Sequence, residues 1–272
     1  MAFAAPPAGP AAYFIISGEQ PAVNLLEIDA IGGVLASSAL LSPQYIVVDM
    51  SFNAADGLLY ALASPDGSVL HIITISPRSG TVTVVDESVP ALLPRFCESG
   101  LSLSGAHPRL YFTSNTNTSD PDDGDQAIHT YDLAAHAVVA SAPWRIANGS
   151  LNAIAAATLP GATLETLLAI ATDPDEGGTR PLELLSINAS SGVFAVLGYA
   201  PLPPGSPGPL IPSLGALAYD SGTHAATTVL YDDSASAYYV ATWDVGGDGI
   251  APLTFTPVTT PTAGGVWKVQ WL

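Results

Sequence analysis

The chain is poor in cysteine, in positive charge and in charge of any kind. Cys97 is the single cysteine among 272 residues. No intrachain disulfide can form, so the fold must rest on its core, where a lone thiol is expected as a small buried hydrophobe. Lys and Arg total 6, with Lys268 the one lysine, against 24 Asp and Glu, for a formal net charge of −18. A nucleic-acid binder displaces counterions from phosphate with clustered basic side chains, and nothing here can do that. Attraction to an anionic membrane fails for the same reason. No stretch approaches the roughly 18 consecutive apolar residues of a membrane-spanning helix, so no membrane insertion is expected. Charged residues make up only 11% of the chain, where about 25% is usual for a soluble domain. Much of the outside must then be Ala, Ser, Thr, Pro and Gly. Such a surface suits glycan cover or packing against neighbours, and a base-composition bias toward Ala, Pro and Gly codons would produce it too.

What the chain has instead is alternation. Tyr45 to Asp86 reads YIVVDMSF, NAADG, LLYALAS, PDG, SVLHIITIS, PRSG, TVTVVD. Four runs rich in Val, Ile, Leu and Tyr are separated by turns carrying Asp-Gly, Pro-Asp-Gly and Ser-Gly, the pattern of four antiparallel strands joined by hairpins. One such sheet cannot cover both of its faces, so copies are expected to stack on it. The marker of each copy is the end of its third strand, where an apolar or aromatic residue precedes a small polar one. It occurs as Ile28-Asp29, Ile75-Ser76, Tyr131-Asp132, Ile187-Asn188 and Trp243-Asp244, so the polar positions are 29, 76, 132, 188 and 244, spaced 47, 56, 56 and 56 apart. A short side-chain oxygen suits that place because it can accept a hydrogen bond from the turn backbone two residues on.

Second strands are expected at 13–16, 59–62, 110–113, 167–170 and 228–231, and innermost strands at 46–52, 100–104, 151–157 and 214–219. The first copy lacks an innermost strand, and Val266 to Leu272 at the other end supplies one. A C-terminal strand that completes the N-terminal sheet would leave no exposed edge between copies. In repeat length, four-strand grammar and closure the chain resembles the β-propeller repeat superfamily. That implies an all-β, five-bladed propeller with blades at about 13–42 plus 266–272, 45–88, 98–143, 150–201 and 213–258, preceded by an extended arm over 1–12. The resemblance reaches no single family. The Gly-His and Trp-Asp pairs of WD40 blades are missing except at Trp243-Asp244, and there is no kelch double glycine. A β-sandwich with long loops is the alternative fold.

Proline punctuates the links between copies, at Pro43, Pro90, Pro94, Pro143, Pro201 through Pro212, Pro257 and Pro261. It fixes φ and cannot donate to a ladder, which suits crossings outside the sheets. Pro201 to Pro212 reads as a stiff, polyproline-like protrusion, either a spacer or a docking segment. The turns between second and third strands concentrate acid. Asp120, Asp122, Asp123 and Asp125 stand in one, and Asp173, Asp175 and Glu176 in the next. Alternating carboxylates followed by glycine suit calcium, although the glycine spacing departs from an EF-hand and no closing Glu follows; a solvated acidic turn is the plain alternative. Asn117, Asn148 and Asn188 begin glycosylation sequons in expected turns or crossings.

Catalytic patterns are thin. Gly100 to Gly105 superficially resembles a nucleophile elbow, but its glycine spacing and its strand-to-hairpin setting are wrong. The five histidines form no zinc-binding spacing. Asp49, Glu98 and Asn152, on or near three consecutive innermost strands, are the candidates for acid–base work in a central channel, or else line it as polar residues. The expected function is therefore a non-enzymatic structural or interaction subunit of a surface layer, filament or particle coat, partnered by other protein subunits and by copies of itself. A carbohydrate-binding propeller comes second and a hydrolase using the channel carboxylates third. Met1 to Pro10 has neither the basic nor the apolar region of a signal peptide. The exterior of a cell or particle is the expected location, with the cytoplasm as the alternative.

Overall fold

The computed structural model describes residues 12–17, 24–29, 34–39, 45–53, 56–65, 69–89, 101–104, 107–115, 126–144, 150–172, 182–200, 210–232, 237–246, 250–258 and 266–271, with side-chain surroundings given only between 45 and 251. The arrangement is all-β and propeller-like, built from antiparallel four-stranded sheets. Sheet one joins β20 (Val266–Trp271) to β1 (Ala12–Ser17), β2 (Asn24–Asp29) and β3 (Val34–Ala39). Sheet two runs through β4 (Ile46–Asn53), β5 (Leu58–Ser64), β6 (Leu70–Ile75) and β7 (Val82–Val89). Sheet three has β8 (Leu101–Leu103), β9 (Arg109–Asn115), β10 (Gln126–Asp132) and β11 (Ala137–Trp144). Sheet four holds β12 (Ser150–Ala157), β13 (Thr166–Thr172), β14 (Leu182–Ile187) and β15 (Phe194–Ala200). Sheet five holds β16 (Leu210–Asp220), β17 (Ala225–Asp232), β18 (Ala237–Asp244) and β19 (Ala251–Val258). The end strands β4, β8, β12, β16 and β20 neighbour one another in turn, and β20 neighbours β4.

Burial follows from this stacking. The middle strands β5 and β6 are buried almost continuously, whereas the outer β11 alternates exposed with covered positions over most of its length. A strand covered on both faces has no solvent side to make polar. Apolar seams fill the gaps between sheets. Val48, Leu62, Leu70 and Ile72 of sheet two meet Leu101, Leu110, Phe112 and Tyr131 of sheet three. Tyr111, Ile128 and Trp144 meet Ile154, Leu167 and Leu185 of sheet four, and Leu168, Leu182 and Leu184 meet Leu217, Leu230 and Trp243 of sheet five. Alanines at 153, 155 and 157 on β12 are buried, and their small side chains let innermost strands approach closely.

Five of the described turns share one grammar. A polar residue is followed four positions later by one in the left-handed region, in Asn53…Gly57, Ser76…Gly80, Asp132…His136, Asn188…Gly192 and Asp220…His224, with φ of 72°, 67°, 51°, 70° and 56° at the last residue. The amides of Gly57, Gly80 and Gly192 donate back to the carbonyls of Asn53, Ser76 and Asn188. The anticipated side-chain turn bonds form at three of the repeat markers. Asp132 Oδ1 accepts from Ala134 N, Asn188 Oδ1 from Ser190 N, and Asp244 Oδ1 from Gly246 N.

Three of the prolines differ from expectation, and Pro43, Pro90, Pro94 and Pro261 lie outside the described residues. Pro143 lies in β11, Pro212 in β16 and Pro257 in β19, not in crossings between sheets. β11 and β19 are outer strands with one free edge, where a missing amide breaks no ladder. Pro212 stands where the register with β17 jumps from Pro212↔Leu230 to Leu217↔Thr228. The stiff protrusion expected over 201–212 thus loses its last residues, 210–212, to β16, and 201–209 lie outside the described residues.

The turn of one sheet packs on the outer strand of the sheet before it. A Cβ at Gly192 would collide with the carbonyl oxygen of Pro143, whereas one at Gly161, which also has positive φ, would meet nothing within 4 Å. Gly161→Ala is expected to lose about 1–2 kcal/mol, the left-handed penalty alone. Gly192→Ala is expected to lose a further ~1–3 kcal/mol from overpacking. Denaturant unfolding of the two variants side by side checks this, and equal losses would mean that the contact with sheet three is not tight.

Candidate functional site

The innermost strands start at one end of the molecule, and there they are irregular. β4 carries an extra residue at Val48, β12 at Asn152 and β20 at Trp267, and β16 sets residues 213–216 against Val229 alone. Bulges bend a strand and re-aim its side chains, and they gather at rims and beside functional sites. The same end receives the junctions between second and third strands, as the terminal pairs Ile46↔Ser64 and Asn115↔Gln126 mark. This rim is the candidate site.

Asp49 follows the bulge in β4 and is 1% exposed. Its Oδ1 accepts the Met50 amide at 2.7 Å and its Oδ2 the Leu101 amide of β8 at 2.5 Å. Two residues on, Ser51 Oγ accepts the Leu103 amide at 3.1 Å. On β8, Ser102 Oγ accepts the Ala156 amide of β12 at 2.7 Å. Neighbouring innermost strands belong to separate sheets, and these side-chain oxygens lace them together. Ser102, centre of the elbow-like Gly100 to Gly105 segment, therefore sits in a strand and acts as an acceptor between sheets.

Of the other sequence candidates, only Asn188 has a described side chain. Asn152 is the bulge residue of β12, and its side chain lies outside the described residues. So do Glu98, the acidic turns with Asp120, Asp122, Asp123, Asp125, Asp173, Asp175 and Glu176, and the sequon residues Asn117 and Asn148. Asn188 is exposed, and its carboxamide oxygen accepts from both the amide and the hydroxyl of Ser190. Among the described residues no three His, Cys, Asp or Glu side chains gather where they could hold a metal ion.

Away from the rim, polar contacts again tie sheet to sheet. Tyr131 donates to Asp86 Oδ2 across sheets three and two at 2.6 Å; burial, then the bond to Asp86 and its charge, push that phenol above its ordinary range. Tyr111 donates to Glu165 Oε1 across sheets three and four at 3.0 Å. Tyr219 reaches the Thr158 carbonyl at 3.3 Å and lies 3.0 Å from His224 Nδ1. Burial, followed by the charges of Asp220 and Asp244, raises its pKa. His129 is buried, stacked on Phe112 with centroids 4.9 Å apart, and its Nδ1 lies 2.8 Å from Ser141 Oγ. Burial lowers its pKa, so the neutral ring is favoured.

No protein-family model matches the chain, and no curated protein matches it. Solved structures do. TolB from Acinetobacter baumannii aligns with a TM-score of 0.52 at 17% identity, over 93% of this chain and 54% of that one. A putative TolB from Agrobacterium tumefaciens aligns with a TM-score of 0.53 at 9% identity, over 98% and 99% of the two chains. The likeness is one of fold. The chain spans about half the length of the Acinetobacter protein.

Lacing residues on the innermost strands had a faint sequence signal, a small polar residue among apolar ones, and Ser51 and Ser102 both show it. Asp49→Ala strands two buried amides and is expected to lose roughly 2–5 kcal/mol of stability. Ser51→Ala strands one and is expected to lose roughly 1–2 kcal/mol. Chemical denaturation of each variant is the check, and a neutral Asp49→Ala would mean the amides find other acceptors. His129 gives a pH test. Below its ordinary pKa the unfolded chain takes a proton that the folded chain withholds, so stability present above that value falls as the pH drops toward the folded pKa. His129→Asn is expected to flatten that part of the stability profile, below the ordinary histidine value of about 6.5.

Proposed function

We propose that the five sheets are blades of a closed five-bladed propeller, and that this ring is a non-enzymatic interaction subunit whose partners are proteins. Closure is supported by the pairing of β20 with β1, Tyr13↔Trp271 through Ser17↔Val266, and by the succession of innermost strands. The observation that carries the functional reading is the outer surface of sheet four. Val193, Val196, Leu197 and Tyr199 are between 37% and 69% exposed, on and just before one outer strand. Several large apolar side chains along one strand form the kind of patch that marks a protein contact.

The polar residues at the rim support the same reading from the other side. Asp49, the described member of the candidate channel carboxylates, holds backbone amides with both oxygens. A carboxylate so engaged and 1% exposed presents no open face to a substrate. A place on the outside of a larger surface, filament or particle fits the low charge of the chain.

Carboxylate-directed cross-linking in the native material tests the reading, since the chain offers 24 acidic side chains and one lysine. Links from this chain to other polypeptide chains, identical or different, are expected. Intrachain links alone, with turnover of an ester, lactone or glycoside that Asp49→Asn abolishes, would replace it with an enzymatic one.

A further inference from the structure

We infer that the outer edge of β15 is where a second copy of this chain docks, strand against strand about a two-fold axis; this rests on the interaction reading above and names its partner. β15 pairs with β14 on one side and, among the described residues, with no strand on the other. A free edge invites another strand, and proteins normally guard it with charge, proline or brevity. Three of the other outer strands do so: β7 carries Asp86 and Glu87, β11 carries Pro143, and β19 carries Pro252 and Pro257, while β3, VLASSA, has neither but sets two serines among its six residues. β15, with the sequence FAVLGYA, has neither charge nor proline. Its one irregularity is the extra residue Leu197, which divides it into two short pairing segments around the register shift.

Charge selects the occupant. At −18, two copies repel over most of their surfaces. Between Glu183 and Asp220 the sequence holds no charged residue, and β15 lies in that interval. A basic partner would be drawn to the acidic surfaces elsewhere, whereas a like-charged copy is admitted here. An antiparallel pair about a two-fold axis sets residue i of one copy against residue j of the other and j against i, so this uncharged strand meets an equally uncharged one. Seven residues span about 24 Å of edge. That is small beside the ~800 Å² per partner of a standard interface, so the dimer is expected to be weak, with a dissociation constant on the order of micromolar or higher.

Sedimentation velocity of the full chain, from about 1 µM to about 1 mM, is the test. A concentration-dependent shift from monomer to dimer is expected, strengthened by added salt because screening removes repulsion while the apolar contact remains. Val196→Glu combined with Tyr199→Glu is expected to weaken dimerisation at least tenfold, and Val69→Glu beside sheet two to leave it unchanged. Circular dichroism verifies that each variant is folded, and Leu197→Lys, at the unpaired bulge residue, replaces the double variant if it is not. A monomer at every concentration and salt level overturns the inference, as does a dimer indifferent to charges on β15. If that monomer still cross-links to a different polypeptide, the interaction reading stands and only the partner named here is wrong.

Discussion

A four-stranded sheet has two faces, and in this protein other sheets must cover them. That requirement explains why the middle strands are apolar on both sides, why Leu62 and Ile72 of one sheet meet Leu110 and Phe112 of the next, and why alanine crowds β12. It also explains the lack of any need for disulfides. Each sheet is marginal alone, because a single layer of strands removes too little apolar area from water to offset the entropy of ordering it.

Stacked sheets splay apart from their innermost strands outward, so backbone ladders cannot join them. Polar side chains do. Asp49, Ser51 and Ser102 reach amides of the next sheet at the inner end, and Tyr131, Tyr111 and Tyr219 reach acceptors across the seams farther out. Burial makes such bonds consequential, since an amide left without an acceptor in a dry seam costs far more than the bond itself contributes in water. Much of the chain's scarce polar chemistry is thus engaged in construction.

Much of this was legible in the sequence, because strand alternation and turn residues are local signals. The strand expected at 46–52 is β4, that at 151–157 is β12, and Asp132, Asn188 and Asp244 cap their turns with the oxygens their positions suggested. What was not legible depends on counting backbone residues between partners. Every outer strand holds an extra residue, at Leu35, Val85, Val139, Leu197 and Leu253, and β7 has a second shift where Glu87 and Ser88 stand against His71. The first five are Leu or Val, yet Val34, Val84, Val138, Val196 and Val258 take regular paired places in the same strands. A bulge is a property of register, so residue type does not announce it. His136 and His224 were equally hidden, since histidine stands where the other turns place glycine. Asp49 was noticed as a carboxylate and read as possible chemistry; its two amide partners are visible only once β8 lies beside β4.

The pairing of β1 with β20 has a consequence for how the chain reaches this state. Phe14 lies opposite Gln270, so nearly the whole polypeptide separates two residues of one ladder. Bringing such distant partners together is entropically slow, and mean sequence separation between contacts is what sets folding speed across small proteins. During synthesis, sheets two to five emerge as local hairpins that can assemble in order, while β1 to β3 wait for a strand the ribosome has yet to make. Sheet one is therefore the last to be finished, and a chain stalled or clipped before Val266 would display the open edge of β1 to every other nascent copy nearby.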